Sequence, residues 1–109
     1  MTQQIPQLTP AQAADRTEAV LLDVREAAEL AEGRIAGSTH IPLGQLPARV
    51  FELDRARPVI TDCRSGGRSS QAAKFLAGQG YDVANLDGGM KAWESAGKPL
   101  DGEGTPHIL

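Results

Sequence analysis

The stretch from Val59 to Gln79 constrains this chain more than any other. A short β-branched run, Val59-Ile60-Thr61, leads into Asp62-Cys63-Arg64-Ser65-Gly66-Gly67-Arg68-Ser69, and a helix-like run follows from Ser70 to Gln79. A strand that ends in a tight glycine loop and opens into a helix turns several backbone N–H groups toward one point, which makes an anion site. The loop holds the only cysteine of the 109 residues. A free thiol titrates near ~8.5, and a helix N-terminus or neighbouring cations lower it to roughly 3.5–7.5. Arg64 and Arg68 are cations that stay charged, while Gly66 and Gly67 let the backbone fold inward without Cβ clashes. No histidine lies in the segment to act as a base, which argues against amide or ester hydrolysis by a cysteine–histidine pair. A buried structural cysteine in a glycine turn is the competing fate. The convergence of strand, glycine pair, two arginines and helix favours a nucleophile in an anion cradle.

The rest of the chain supplies a frame for that loop. Thr9-Pro10 starts a helix, with threonine as cap and proline in the first turn, and Ala11 to Asp15 continues it. Val20-Leu21-Leu22-Asp23-Val24 reads as a strand buried on both faces. Arg25 to Glu32 reads as a helix ended by Gly33. Ile35 to Pro42 is a loop leading into a short strand. Gln45 to Asp54 reads as helical with Pro47 in its first turn, and Val83-Ala84-Asn85-Leu86 as a third strand. The turn Asp87-Gly88-Gly89 follows, with Asp87 as cap of a final helix that carries Met90 and Trp93 on a core face. Lys98 to Leu109, with Pro99, Gly102, Gly104 and Pro106, reads as an irregular tail without a readable function. Strands alternating with helices imply an α/β fold: a central, mostly parallel sheet with helices on both faces. In such sheets ligands bind outside the carboxyl ends of the strands, where Cys63, Asp23 with Arg25, and Asp87 with Gly88 all fall.

Size and charge set the class. A chain of 109 residues is one domain, 1–109, with a core over about 8–99 and a tail over 100–109. It can bury enough surface to fold without disulfides or metal. One cysteine excludes an internal disulfide, and two separated histidines argue against a zinc cluster; no metal or cofactor is expected. The net charge of −3 gives no reason to expect nucleic acid or an anionic membrane as partner. No signal peptide or membrane-length apolar run is visible, so a cytoplasmic protein is the expectation.

Four segments together resemble the motifs of the rhodanese family: Asp23-Val24-Arg25-Glu26; Gly33-Arg34-Ile35-Ala36-Gly37-Ser38 with Ile41-Pro42; Cys63-Arg64-Ser65-Gly66-Gly67-Arg68-Ser69; and Asp87-Gly88-Gly89-Met90-Lys91-Ala92-Trp93. They occur in the family's order, from about Leu8 to Pro99, and are most similar to stand-alone, single-domain sulfurtransferases of bacterial type. The resemblance implies a rhodanese-like domain and a thiosulfate sulfurtransferase. In such an enzyme Cys63 takes sulfane sulfur from a small anionic donor, becomes a persulfide, and passes the sulfur to a thiophilic acceptor: cyanide, a small thiol or a protein. By match to the motif, the backbone from Arg64 to Ser69 (Arg64, Ser65, Gly66, Gly67, Arg68, Ser69) forms the cradle, and Arg64 and Arg68 are candidates for the donor's anionic end. The loop runs cysteine, four residues, arginine, whereas the related cell-cycle phosphatases use one residue more; a phosphatase or arsenate reductase is the weaker alternative. A relay or binding module that carries persulfide for one partner is the other.

Two positions depart from the family pattern. Asp62 stands where an aromatic or apolar residue is common; on a strand it points away from Cys63, so little direct effect on the thiol is expected. Arg34 replaces a common histidine and reads as a surface change. Asp23 and Arg25 either orient the loop or form a structural ion pair, the second being favoured. His40 and His107 read as incidental.

Overall fold

The apolar runs become short strands that share one sheet, and the segments between them return over its faces. The computed structural model describes residues 4–102 and 104–108; Met1 to Gln3 of the N-terminal segment, and Glu103 and Leu109 of the tail, lie outside the described residues. In order, the elements are β1 (Gln7–Leu8), α1 (Pro10–Ala14), β2 (Val20–Asp23), α2 (Ala27–Leu30), β3 (Thr39–His40), α3 (Leu46–Arg49), β4 (Val59–Asp62), α4 (Gly67–Gly78), β5 (Val83–Leu86) and α5 (Gly89–Ser95). The sheet order is β1-β5-β4-β2-β3 and every pair is parallel. The α/β architecture expected from the alternating runs is therefore present, with the cysteine strand at the centre.

Successive side chains of a strand point to opposite faces, and two cores result. Leu22, Val59 and Val83 pack with Leu46, Ala72, Ala73 and Leu76 of α3 and α4. Ile60 and Leu86 pack with Ala13 of α1 and with Met90 and Trp93 of α5. Strands β2 and β4 are registered residue for residue from Val20 with Val59 to Asp23 with Asp62. That register brings the carboxyl ends of β2 and β4 level with each other, and Cys63 follows directly from β4.

Several boundaries differ from expectation for local reasons. The segment after β2 is helical only over Ala27–Leu30, because the Arg25 N–H and guanidinium both turn back onto Asp23 and leave the helix to start after Glu26. The run from Gln45 to Asp54 is broken: 3₁₀ turns at Leu43–Gln45 and Val50–Glu52 flank α3, whose first turn holds Pro47. The helix after the loop begins earlier than Ser70, at Gly67, and so includes Arg68 and Ser69. Asp87 does not cap α5; that place belongs to Gly88, at φ 75°, and Asp87 is exposed.

The tail is irregular but seated. Arg34 and Asp101 exchange backbone hydrogen bonds at 2.8 and 2.7 Å, the His107 N–H donates to the Glu32 carbonyl, and the Trp93 indole N–H donates to the Pro99 carbonyl at 2.7 Å. Ile108 ends up 4% exposed among Leu8, Met90 and Trp93, and its N–H donates to Glu94 Oε2. The segment that reads as an irregular tail thus closes one core, a packing role that its sequence does not announce. Ile108→Ala should lower stability by about 2 kcal/mol or more, seen as a lower urea midpoint at unchanged slope. An unchanged midpoint would mean that the tail folds outside the cooperative unit.

Candidate active site

Strand β4 runs straight into the loop and places Cys63 at its carboxyl end, almost fully buried at 1% exposure. Gly66, at φ 108°, reverses the backbone so that α4 can start at Gly67. This conformation brings the Gly66 N–H to 3.0 Å from Cys63 Sγ, and the Ser69 hydroxyl, from the first turn of α4, donates to the same sulfur at 3.3 Å. Burial pushes the Cys63 thiol up. The Ser69 hydroxyl and the N–H groups of Ser69, Gly66 and Ser65 outweigh that push, and the thiol lies below its ordinary value. Donors that converge on a sulfur favour its charged form, so the loop makes Cys63 easier to ionise than a free cysteine.

A second glycine turn buttresses the loop. The N–H groups of Met90 and Lys91 donate to the carbonyls of Cys63 and Arg64 at 2.8 and 3.0 Å. Gly89, at φ 63°, makes this approach possible: a Cβ there would stand 2.6 Å from the Cys63 carbonyl oxygen and 2.7 Å from that of Arg64. From below, Thr61 Oγ1 donates to the Ser69 carbonyl at 3.0 Å, and Asn85 Nδ2 donates to Ser70 Oγ at 3.1 Å. The β5–α5 turn thus packs directly on the loop, in line with the expectation that Asp87 and Gly88 fall at the same carboxyl end of the sheet.

The remaining expected residues divide into rim and support. Arg64, Ser65 and Gly67 are exposed, whereas Gly66 and Ser69 are buried. Arg68 reaches across to α2, where Nη1 and Nη2 donate to Glu29 Oε2 and Oε1, both at 2.8 Å. Those bonds hold the Glu29 carboxyl down at about 2 against the opposing effect of burial. Glu29 lies 39 residues from Arg68, and nothing local in the sequence marks the pair. Asp23 and Arg25 do not enter the cradle. They form a buried ion pair at 2.7 Å, and Arg25 also donates to the Gly33 carbonyl at 2.9 Å and the Glu29 carbonyl at 3.4 Å. His40 Nε2 lies 2.7 Å from the Arg25 carbonyl oxygen, a structural role for a residue read as incidental.

Asp62 is fully buried, in register with Asp23, and as an anion has no hydrogen-bond partner for either oxygen. Burial first, and then the negative charge of Asp23, raise its pKa well above the ordinary carboxylate value. Burial and Asp23 thus favour the protonated form of Asp62, which can donate to Asp23. That form lessens the negative charge behind Cys63. A surface groove of about 540 Å³ between α1 and α5 is lined by Ala13, Leu21, Ile35 and Trp93 with Arg16 and Arg57, and contains none of the loop residues.

These features define a class: a thiolate cradle at the carboxyl end of a central parallel strand. The rhodanese-like domain model matches residues 9–96, and the chain belongs to that family. A sulfurtransferase of Allochromatium vinosum is 42% identical over 88 residues, covering 80% of this chain and 82% of its own length. The thiosulfate sulfurtransferase GlpE of Ectopseudomonas mendocina is 38% identical over 78 residues, 71% of this chain and 72% of its own. A rhodanese-related protein from Thermoplasma volcanium superposes with a TM-score of 0.86 at 31% identity, over 88% of this chain and 97% of its own. Sulfur transfer is thus the class of activity that the family and these relatives support. Among the described residues no helix is long and apolar enough to cross a membrane.

Two outcomes follow from the charges. In the fold Asp62 binds its proton more tightly than in the unfolded chain, so above the ordinary carboxyl pKa of about 3.9 the native state carries the extra proton and stability falls as pH rises. Asp62→Asn abolishes that loss. Relative to wild type the variant should gain stability between pH 4 and pH 7, by about 1.4 kcal/mol for each unit by which the fold raises the Asp62 pKa, as read in thermal melts; a difference independent of pH would mean that the fold does not raise that pKa. Ser69→Ala removes one donor to Sγ and should move the pH profile of Cys63 alkylation to higher pH, while an unmoved profile would take the hydroxyl out of thiolate stabilisation.

Proposed function

We propose that the protein is a thiosulfate-type sulfurtransferase that carries sulfane sulfur as a persulfide on Cys63. The observation that carries this reading is the convergence of the Gly66 N–H and the Ser69 hydroxyl on Sγ at the end of β4. Such a sulfur attacks the outer sulfur of thiosulfate: a new S–S bond forms to Cys63, the S–S bond of the donor breaks, and sulfite leaves with the electron pair. The acceptor, cyanide or a thiolate, then attacks the outer sulfur of the persulfide and the Cys63 thiolate departs, regenerated. Both steps are displacements at sulfur, with sulfite leaving in the first and the low-pKa Cys63 thiolate leaving in the second, and neither requires an oxidant or a histidine base.

Each loop residue has a task in this scheme. The backbone from Arg64 to Ser69 cradles the anion, and Arg64 and Arg68 give the rim its cations for the donor's charged end. Asp23 and Arg25 support the loop from behind without touching substrate. The acceptor is a small thiol or a partner protein's thiol. The absence of a second cysteine anywhere in the sequence fits a mechanism that needs no resolving thiol. The spacing of Cys63 and Arg68 favours this chemistry over a phosphatase, and a cytoplasmic setting suits a lone reduced thiol.

The test is direct. On incubation with thiosulfate the intact protein should gain the mass of one sulfur atom, and added cyanide should release thiocyanate and restore the original mass. Cys63→Ser should gain nothing. Equal sulfur uptake by Cys63→Ser, or none by wild type, would overturn the reading. Sulfur uptake without turnover would point to a relay module, and Cys63-dependent hydrolysis of an aryl phosphate would point to a phosphatase.

A further inference from the structure

Arg68 arrives at the rim of the cradle already engaged, and its partner is fixed before Arg68 reaches it. Glu29 Oε2 accepts the Glu26 N–H at 2.8 Å in a capping box, and the Glu29 carbonyl accepts from Arg25 Nη1 at 3.4 Å. Arg25 is in turn locked on buried Asp23. A chain of contacts from the sheet thus holds the carboxylate stationary, and the two parallel N–H···O bonds to Arg68 give the pair a fixed geometry. The two side chains are only 36% and 21% exposed, which limits screening by solvent.

The pair also stands close to the sulfur, since Arg68 lies in the first turn of α4 between Gly66 and Ser69, whose N–H and hydroxyl both reach Cys63 Sγ. An unaccompanied guanidinium at that place would add a full positive charge to the cradle. A guanidinium forked onto a carboxylate adds a dipole, whose potential falls off much faster with distance. Glu29 is ionised at any pH well above 2, so the neutralisation persists throughout the working range.

We propose that Glu29 determines the charge specificity of the Cys63 site: by neutralising Arg68 it disfavours doubly charged donors such as thiosulfate relative to donors of lower charge such as persulfides. As a statement about donors this rests on the sulfurtransferase reading, and as a statement about anions at Cys63 it does not. Glu29 acts through Arg68 and touches no reacting atom. Thiosulfate is then a usable but handicapped donor, and a sulfane sulfur presented on a singly charged or neutral carrier is the better match.

Glu29→Gln keeps an oxygen for the Glu26 N–H and removes the charge. Cys63 is the sole cysteine, so its alkylation reports one site. The ratio of the rate with iodoacetate, an anion, to that with iodoacetamide, its neutral counterpart, measures the potential at Sγ whether or not sulfur is transferred. The ratio should rise roughly fivefold in Glu29→Gln, with the gain shrinking as salt is added, and the KM for thiosulfate should fall by a similar factor. Arg68→Gln should lower the ratio below wild type, and the double variant should return toward it. If Glu29→Gln does not fold, Glu29→Asp, which draws the charge back from Arg68, should raise the ratio by a smaller factor. An unchanged or lowered ratio in the folded variant overturns the proposal, as does a raised KM for thiosulfate, which would make Glu29 a positioner of Arg68 for the donor. A protein that takes up no sulfur yet shows the shift refutes the sulfurtransferase reading and leaves Glu29 in control of anion charge at Cys63.

Discussion

The buried ion pair of Asp23 and Arg25 is the interaction on which the site depends. A guanidinium 1% exposed is tolerable only if its donors are satisfied, and here they meet both Asp23 oxygens and the carbonyls of Gly33 and Glu29. Removing one partner of such a pair typically costs about 3–5 kcal/mol, because the other charge is left buried and unpaired. The pair terminates β2, turns the chain into α2, and fixes the segment through Gly33 against which the tail packs. What reads in sequence as a choice between a loop-orienting and a structural role is in the fold a single arrangement. The pair is structural, and through Glu29 its structure extends to the rim of the cradle.

Beside it lies a second buried acid with the opposite fate. Asp23 and Asp62 sit on adjacent strands in register, so in a parallel sheet their side chains share a face. Only one of them is paired with a cation, and burial beside that anion raises the pKa of the other. The raised pKa lessens the opposition of Asp62 to the ionisation of the cysteine that follows it. Sγ takes its hydrogen bonds on the α4 side, while Asp62 lies on the face toward Asp23.

The cradle was legible in the sequence because its parts are contiguous: a strand, a glycine turn and a helix start in one segment from Val59 to Ser69. The parallel sheet followed from runs whose apolar character is continuous. Less local features escaped. The first strand is only two residues long, Gln7–Leu8, and has no pattern to read. Glu29 and Arg68 meet through tertiary packing alone. Asp87 has the chemistry of a cap, but the positive φ of Gly88 starts α5 one residue later and leaves the carboxylate outside. Ile108 follows a run of Gly and Pro without periodicity, and its burial depends on a backbone bridge between Arg34 and Asp101 that no local signal announces.

The close approach of Gly89 to the loop divides the cradle into two mechanical halves. The carbonyls of Cys63 and Arg64 are pinned by the N–H groups of Met90 and Lys91, with no room for even a methyl group between the two turns. Gly67, by contrast, would meet nothing within 4 Å if it carried a Cβ, and Ser65 is exposed. A side chain added at Gly67 would therefore meet no obstacle, whereas one added at Gly89 would collide with the backbone of Cys63 and Arg64. The open side of the loop can be altered without unseating the cysteine from the sheet.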